Sequence, residues 1–337
     1  MIKPGISVIL CTYNGAAKLP ATLHSLAKQN TNDQFNWEII FVDNNSQDGS
    51  ATIAHQKWRQ YITQVPLFVY KENTPGKYYA FQLAIAKASY EFFVICDDDT
   101  ALQEDYLLRA FNLLSSRPEV GAAGGRSLLK LPEGVAAPDW LPEDYEPFAL
   151  GKQSARTGYV PVAKGRLWGA GLASRTDLYK KLYADLPSLL IDLSDKRALI
   201  SEDTEFCARI ILAGRKLYYD EDLVLYHMLD SSKLTAAHRD KLQRIHNVSA
   251  LVLDKYRVVI KVESQQNKWV YKTKVFFITP FRLWFSQNIK SKARYRGFLQ
   301  YMYPGLYGRD QVIEKIRECV STGDIFPIPS NSKSIRG

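Results

Sequence analysis

Three consecutive carboxylates, Asp97, Asp98 and Asp99, close the apolar run Phe92-Phe93-Val94-Ile95-Cys96. Like charges in contact repel and raise one another's pKa, so a chain that stacks them at the mouth of a buried strand usually offsets the cost with a cation. Hard oxygen donors favour Mg²⁺ or Mn²⁺, and Mg²⁺ keeps waters and substrate phosphates in its shell. A plainer use is a solvated acidic turn, with Asp99 capping a helix that starts near Leu102. A second acidic pair, Glu202-Asp203, sits in Ile200-Ser201-Glu202-Asp203-Thr204-Glu205-Phe206, at the start of a helix whose apolar positions Phe206, Ile210 and Ile211 point inward. Acidic side chains also favour that positive end of a helix for purely structural reasons. Downstream, Val224-Leu225-Tyr226-His227 ends an apolar strand with an imidazole, which is a competent Mn²⁺ ligand when neutral and otherwise an ordinary edge residue.

The elements that position these groups read as α/β. Short β-rich runs at 6–11, 37–42, 67–70 and 91–96 are each bounded by turn residues. Helical spacing lies between them, with Leu19, Leu23 and Leu26 in one segment (16–29) and Phe81, Ala84, Ile85 and Ala88 in another (78–88). This alternation predicts a mostly parallel sheet covered by helices. Ligands of such sheets bind beyond the carboxyl ends of the strands. Polar clusters fall at those ends: Thr12-Tyr13-Asn14-Gly15, then Asp43-Asn44-Asn45-Ser46-Gln47-Asp48-Gly49, then the aspartate triplet. All three should share one crevice. Asp43 can accept hydrogen bonds from a base N–H or a ribose hydroxyl, while Asp48 or Ser46 can cap a helix over 51–59; both uses are compatible.

Ser7-Val8-Ile9-Leu10-Cys11-Thr12-Tyr13-Asn14, Phe41-Val42-Asp43-Asn44-Asn45-Ser46 and Asp97-Asp98-Asp99, in this order, resemble a family 2 glycosyltransferase across roughly the first two thirds of the chain. The resemblance implies a GT-A fold, a nucleotide-sugar donor across the sheet edge, a divalent metal on its diphosphate, and inverting transfer to an acceptor hydroxyl. By the same resemblance Thr12 and Asp43 contact the nucleoside, and Lys77, in Asn73-Thr74-Pro75-Gly76-Lys77, lies beside the base and phosphates. Gln82 stands where the family has Asn. Asp97 faces the ribose side and joins Asp99 and His227 as metal-site candidates. Inversion needs a base opposite the leaving diphosphate; Asp203 matches that role, with Glu202 positioning the acceptor or the loop. Leu167-Trp168-Gly169-Ala170-Gly171 resembles the segment lining the donor sugar, where Gly169 lets backbone approach and Trp168 is placed to stack. A Gln-x-x-Arg-Trp motif of processive members is absent, which favours limited sugar addition. An Asp at a strand end suits uracil or thymine, with UDP the favoured nucleotide.

Composition bounds the rest. The 337 residues, 46% of them hydrophobic, suffice for one large core plus an appendage. The expected organisation is a catalytic domain over 1–235, with a nucleotide-binding half (1–100) and an acceptor half (101–235), followed by a basic, mainly helical region over 236–337. Four widely spaced cysteines predict no disulfide, and with no secretory signal they point to the cytoplasm. A proline-rich loop (132–147) is expected either to lie over the active site or to be a surface insertion. Between 257 and 309 there are eleven Lys or Arg and one acid, Glu263, a surplus exceeding the chain's net +9. Interleaved aromatics such as Trp269, Phe277, Trp284 and Phe298 suit either a helix in the headgroup region of an anionic membrane or a helical subdomain core. The apolar run at 275–285 is too short to span a bilayer. Nucleic acid is disfavoured as a partner because no recognisable binding module accompanies the charge. The function expected is sugar transfer to a lipid-linked or polysaccharide hydroxyl, peripheral at the inner face of the cell membrane. Transfer to a polyprenyl phosphate, or a catalytically silent nucleotide-sugar or membrane-binding protein, are the competing readings.

Overall fold

The computed structural model describes residues 3–61, 64–192, 197–198, 201–265, 267–286 and 288–321. Ile200, at the head of the second acidic segment, and the 322–337 end of the basic region lie outside the described residues.

The amino-terminal half alternates as its periodicity predicts. Strands β1 (Lys3–Thr12), β2 (Asn36–Asp43), β3 (Leu67–Lys71) and β4 (Tyr90–Ile95) are separated by helices α1 (Leu19–Ala27), α2 (Ser50–Trp58) and α3 (Lys77–Lys87). The strands lie in the order β3-β2-β1-β4, all parallel. β1 and β2 are buried on both faces over most of their length, so they read as continuous apolar runs and not as alternation, whereas the edge strand β3 buries none of its residues. Leu19, Leu23 and Leu26 of α1 are fully buried on one side of the sheet; Ala84 and Ile85 of α3 cover the other.

The remainder of the sheet, over residues 100–228, is mixed. β5 (Thr100–Leu102), α4 (Tyr106–Ser116), β6 (Val120–Lys130), β7 (Gly158–Tyr159), β8 (Ala173–Arg175), α5 (Thr176–Ala184), the short pair β9 (Ile191–Asp192) and β10 (Arg197–Ala198), α6 (Glu202–Leu212) and β11 (Lys216–Met228) follow in turn. β8 runs antiparallel to both β4 and β6, β11 runs parallel to β6, and β5 closes the far edge antiparallel to β11. The parallel expectation thus holds for β1 to β4 and for the β6–β11 pair, while β5, β7 and β8 run antiparallel to their neighbours. One local expectation is corrected: no helix starts near Leu102. Residues 100–102 form β5, and α4 begins at Tyr106, so Asp99 is not a helix cap but sits at the turn into an edge strand.

Among the described residues five helices follow: α7 (Ala236–Glu263), α8 (Lys268–Phe285), α9 (Ile289–Met302), α10 (Pro304–Tyr307) and α11 (Gln311–Ser321). Val259, Val275, Phe298, Leu299 and Ile316 form their common core, which continues into Leu190 and into Ala208 and Leu212 of α6. A buried polar knot joins the two. Arg209 of α6, fully buried, donates to Tyr256 of α7 (3.0 Å), to the carbonyls of Leu182 (2.8 Å) and Pro187 (2.8 Å), and to Glu205 (3.1 Å). Tyr256 donates in turn to Glu205 at 2.8 Å. Charges taken out of water persist only when paired and hydrogen-bonded, so this knot fixes α6, and the acidic pair at its first turn, against α7. Among the described residues no helix is long and apolar enough to cross a membrane.

Candidate active site

The three polar clusters meet at the carboxyl ends of β1, β2 and β4. Thr12 and Asp43 are register partners. The Thr12 hydroxyl donates to Asp98 (2.5 Å), and the Lys18 ammonium stands 3.7 Å from the same carboxylate. The turns are laced together: Asn14 N–H donates to Ser46 Oγ (2.9 Å) and Ala16 N–H to Asp48 (2.9 Å), while Asp43 accepts from Ser46 N–H (2.9 Å). Asp48 also accepts from the N–H of Ser50, so its cap of α2 and its loop contact coexist. Gly15 permits this closeness. A Cβ there would stand 2.1 Å from Thr12 Oγ1 and 2.4 Å from Asp98 Oδ2.

Lys77 is delivered by a staple that the sequence reading missed. Asn44, next to Asp43, donates to the Thr74 carbonyl (2.7 Å) and accepts from Gly76 N–H (2.8 Å), which holds the 72–76 turn against β2. Lys77, first residue of α3, then reaches Asp97 at 2.5 Å. Gln82 points elsewhere, donating to the Tyr179 hydroxyl on α5 at 2.8 Å.

Asp99 lies opposite His227 across the β5–β11 pairing. His227 Nε2 is 3.5 Å from one carboxylate oxygen, and the Lys233 ammonium is ion-paired with the other. Burial alone would raise the Asp99 carboxyl, but His227 and Lys233 outweigh it and hold it well below the usual carboxylate range. His227 Nδ1 stands 2.9 Å from the Phe148 carbonyl, which can only accept, so Nδ1 carries a hydrogen and Nε2 is the ring nitrogen turned to Asp99. One carboxylate and one imidazole converging from two strands suit Mg²⁺ or Mn²⁺ completed by phosphate oxygens and water. Asp97, the third candidate ligand, is committed to Lys77. No group of three or more His, Cys, Asp or Glu side chains within reach of one ion occurs among the described residues.

The second acidic pair faces the same space. Asp203 accepts from Gly169 N–H (2.8 Å) and from Thr204 N–H (2.6 Å), which aims the carboxylate while leaving further lone pairs. Burial raises its carboxyl above the ordinary value, and those two N–H groups oppose the shift. Burial also pushes Glu202 up to about 7, against the pull of Lys77. Ser201, which introduces the helix, is left-handed at φ 86° and lies 3.1 Å from His246 Nδ1 of α7.

A cavity of about 400 Å³ joins these groups. Lys77, Asp97, Gly169, Glu202 and Asp203 line it, together with His227, Lys233, His238 and His246. Pro147 to Ala149 of the proline-rich loop wall it as well. Trp168 does not line the cavity; Gly169 and Ala170 do, and Trp168 is held by its backbone N–H on Gln153 (2.6 Å). Thr12 and Asp43 also lie outside it, at the carboxyl ends of β1 and β2. Lys233, His238 and His246 had no motif to mark them. A surplus of basic side chains just after the His227 strand was the one available signal.

Comparison with known proteins agrees with this architecture. The glycosyl transferase family 2 model matches residues 7–163. Glycosyltransferase AglE of Haloferax volcanii is 29% identical over 134 residues, 40% of this chain and 43% of that protein. The teichuronic acid biosynthesis glycosyltransferase TuaG of Bacillus subtilis is 29% identical over 147 residues, 42% of this chain and 56% of that one. The aligned parts are therefore little more than half, or less, of these relatives' own lengths. In three dimensions the chain resembles S. aureus TarS 1–349, solved with UDP, at a TM-score of 0.53 and 17% identity, covering 95% of this chain and 91% of that one. A sheet ordered β3-β2-β1-β4 with polar clusters at its strand ends, and an acidic helix start lining the cavity beside Asp97, are thus parts of a GT-A fold whose residues 7–163 match the glycosyl transferase family 2 model.

Proposed function

We propose that the protein is an inverting glycosyltransferase that moves one sugar from a nucleoside diphosphate sugar, with UDP favoured, to a hydroxyl of a lipid-linked or cell-surface polysaccharide acceptor. The carrying observation is that Asp203, aimed by two backbone N–H groups, faces Lys77, His227 and Lys233 across a single cavity. Base and diphosphate-binding groups on opposite sides of a sugar are what inversion needs. The acceptor hydroxyl gives its proton to Asp203 as its oxygen forms the new bond to the anomeric carbon. The bond from that carbon to the diphosphate breaks, and its electron pair leaves with the phosphate oxygen, whose charge Lys77 and Lys233 are placed to meet. A divalent ion held by Asp99 and His227, when bound, would add Lewis-acid neutralisation of the diphosphate. Thr12 and Asp43 hold the nucleoside, Glu202 orients the acceptor or its loop, and Gly169 presents backbone to the sugar.

Support for the donor comes from TarS, whose solved forms include complexes with UDP and UDP-GlcNAc. Support for the acceptor class comes from relatives such as TuaG and the poly-beta-1,6-N-acetyl-D-glucosamine synthase of Staphylococcus epidermidis. Cytoplasmic placement, peripheral to the inner membrane face, follows from such an acceptor. The test is calorimetric titration with UDP-, GDP- and dTDP-sugars, with Mn²⁺ and then with EDTA. Metal-dependent binding of one nucleotide family supports the reading; no binding by folded protein with metal present refutes it.

A further inference from the structure

Helix α8 carries its apolar side chains on the wrong face for a soluble helix. Val275 and Thr279 are its buried residues, against α9 and the common core. On the opposite side, Trp269, Val270, Phe277, Phe281, Trp284 and Phe285 fall within half of the circumference at about 3.6 residues per turn, and all are exposed. Trp284 is 83% exposed, Trp269 76% and Phe277 71%, so these are whole rings in water and not the edges of packed ones. Only Thr273 and Lys274 interrupt the stripe. Contiguous apolar surface of this size marks an interaction site.

We propose that this face lies in the interfacial layer of an anionic membrane, with α8 parallel to the surface. This deepens the membrane-proximal reading above by naming the element and its lipid chemistry, and it rests on that reading only for the biological source of the membrane. The rim argues for lipid. Lys272 and Arg282 flank the stripe on either side, Lys274 sits within it, and Lys292 and Arg296 on α9 are exposed nearby. Glu263, the lone acid of residues 257–309, is already taken by Lys268 at 2.5 Å and by the Tyr301 hydroxyl. Basic side chains on long stems can lie along headgroups while the rings beside them enter the acyl boundary. The two tryptophans stand near the two ends of an element of 18 residues, about 27 Å long, as anchors of a helix lying flat do. A second copy is the poorer occupant. A two-fold contact through this face would set Lys272, Lys274 and Arg282 near their own equivalents with no acid to compensate. The α7 helix, whose first half walls the cavity at His238, Leu242 and His246, ends in the core beneath α9, so docking α8 would hold the cavity at a fixed height above the lipid.

The experiment is flotation of the full chain with vesicles of equal parts phosphatidylglycerol and phosphatidylcholine, and with pure phosphatidylcholine. The unmodified protein should float with the first and bind the second at least about tenfold more weakly. The triple variant Trp269→Ser, Phe277→Ser, Trp284→Ser should lose at least about tenfold in affinity for the anionic vesicles, with a nearly unchanged melting temperature because all three rings are more than 70% exposed and only Phe277 touches another ring, that of Phe276. Lys272→Glu, Lys274→Glu, Arg282→Glu should abolish the preference for anionic lipid. Failure of the unmodified protein to float overturns the proposal, as does undiminished flotation of the triple variant. Light scattering that shows a dimer abolished by the triple variant would assign the face to a second copy, and a gain of vesicle binding on removing 322–337 would assign it to the chain's own tail; each overturns the proposal. Donor titration is independent of all these arms, so loss of the glycosyl-transfer reading is told apart from loss of this one.

Discussion

The Lys233 ammonium occupies one oxygen of Asp99, and His227 Nε2 stands 3.5 Å from the other. Each carboxylate of the triplet therefore has its own lysine: Asp97 has Lys77, Asp98 has Lys18 and Asp99 has Lys233. A divalent ion arriving at Asp99 must displace Lys233, which is then free to turn to the diphosphate. Lys233→Met should raise Mn²⁺ affinity in the absence of nucleotide by about tenfold, the scale of one lost competing ion pair in a partly buried site. It should also weaken binding of the nucleoside diphosphate. Asp99→Ala should abolish metal-dependent donor binding. Mn²⁺ titration followed by electron paramagnetic resonance reads the first effect without any turnover, and unchanged affinity in Lys233→Met would show that the lysine does not compete.

Asp203→Asn keeps the shape and the Gly169 contact point but removes the proton acceptor. Transfer should fall by about 10²–10⁴-fold, while the donor dissociation constant stays close to that of the unmodified enzyme. Single-turnover assays beside donor calorimetry separate the two. Normal turnover would remove Asp203 from the role of base.

The pH dependence follows from the same burial. Asp203 must be ionised to accept a proton, and its carboxyl is raised above 3.8, so transfer should climb with pH along a limb displaced above the ordinary aspartate range. Glu202 titrates near 7 in the folded chain against an ordinary 4.5. Between those values the folded chain binds a proton that the unfolded chain does not, so this group's contribution to stability falls as pH rises through the window. Glu202→Gln removes the penalty. It should raise the unfolding midpoint at about pH 8 and leave it nearly unchanged at about pH 4, as denaturant titrations at the two pH values will show.

The Arg209 knot sets the position of α6. Arg209→Met leaves Glu205 buried without its cation and should cost about 3–5 kcal/mol, whereas Tyr256→Phe removes one hydroxyl and should cost about 1–3 kcal/mol. Denaturant unfolding measures both. If the knot also aims the acidic pair, Tyr256→Phe should lower the turnover rate more than it changes donor affinity.

Much of this protein is written in local pattern. Apolar runs of strand length, with helical spacing between them, placed β1 to β4 to within a few residues, and polar clusters at strand ends had to converge because parallel strands share one carboxyl edge. That is why Thr12, Asp43 and the aspartate triplet were legible together. The aromatics of the basic region were legible as a set but not in their division. Phe298 and Tyr301 turn into the helical core, as the subdomain-core expectation has it, while Trp269 and Trp284 face outward.

What only the tertiary structure decided is which side chains meet across long stretches of chain. Lys233 and Asp99 are 134 residues apart, and Gln82 and Tyr179 are 97 apart; neither pair belongs to a periodic pattern. The supposed cap at Asp99 failed for the same reason. Pairing with β11 pulled residues 100–102 into a sheet edge, and local preference for a helix start lost to backbone hydrogen bonds with a strand more than a hundred residues away. Trp168 was excluded from the cavity by the Gln153 contact, and His246 was brought to it by packing along α7. Sequence alone determined the chemistry available and the sheet edge where it gathers, since both depend on residue type and local period. The choice among lysines, histidines and rings at that edge rested on packing between distant elements, which no local period encodes.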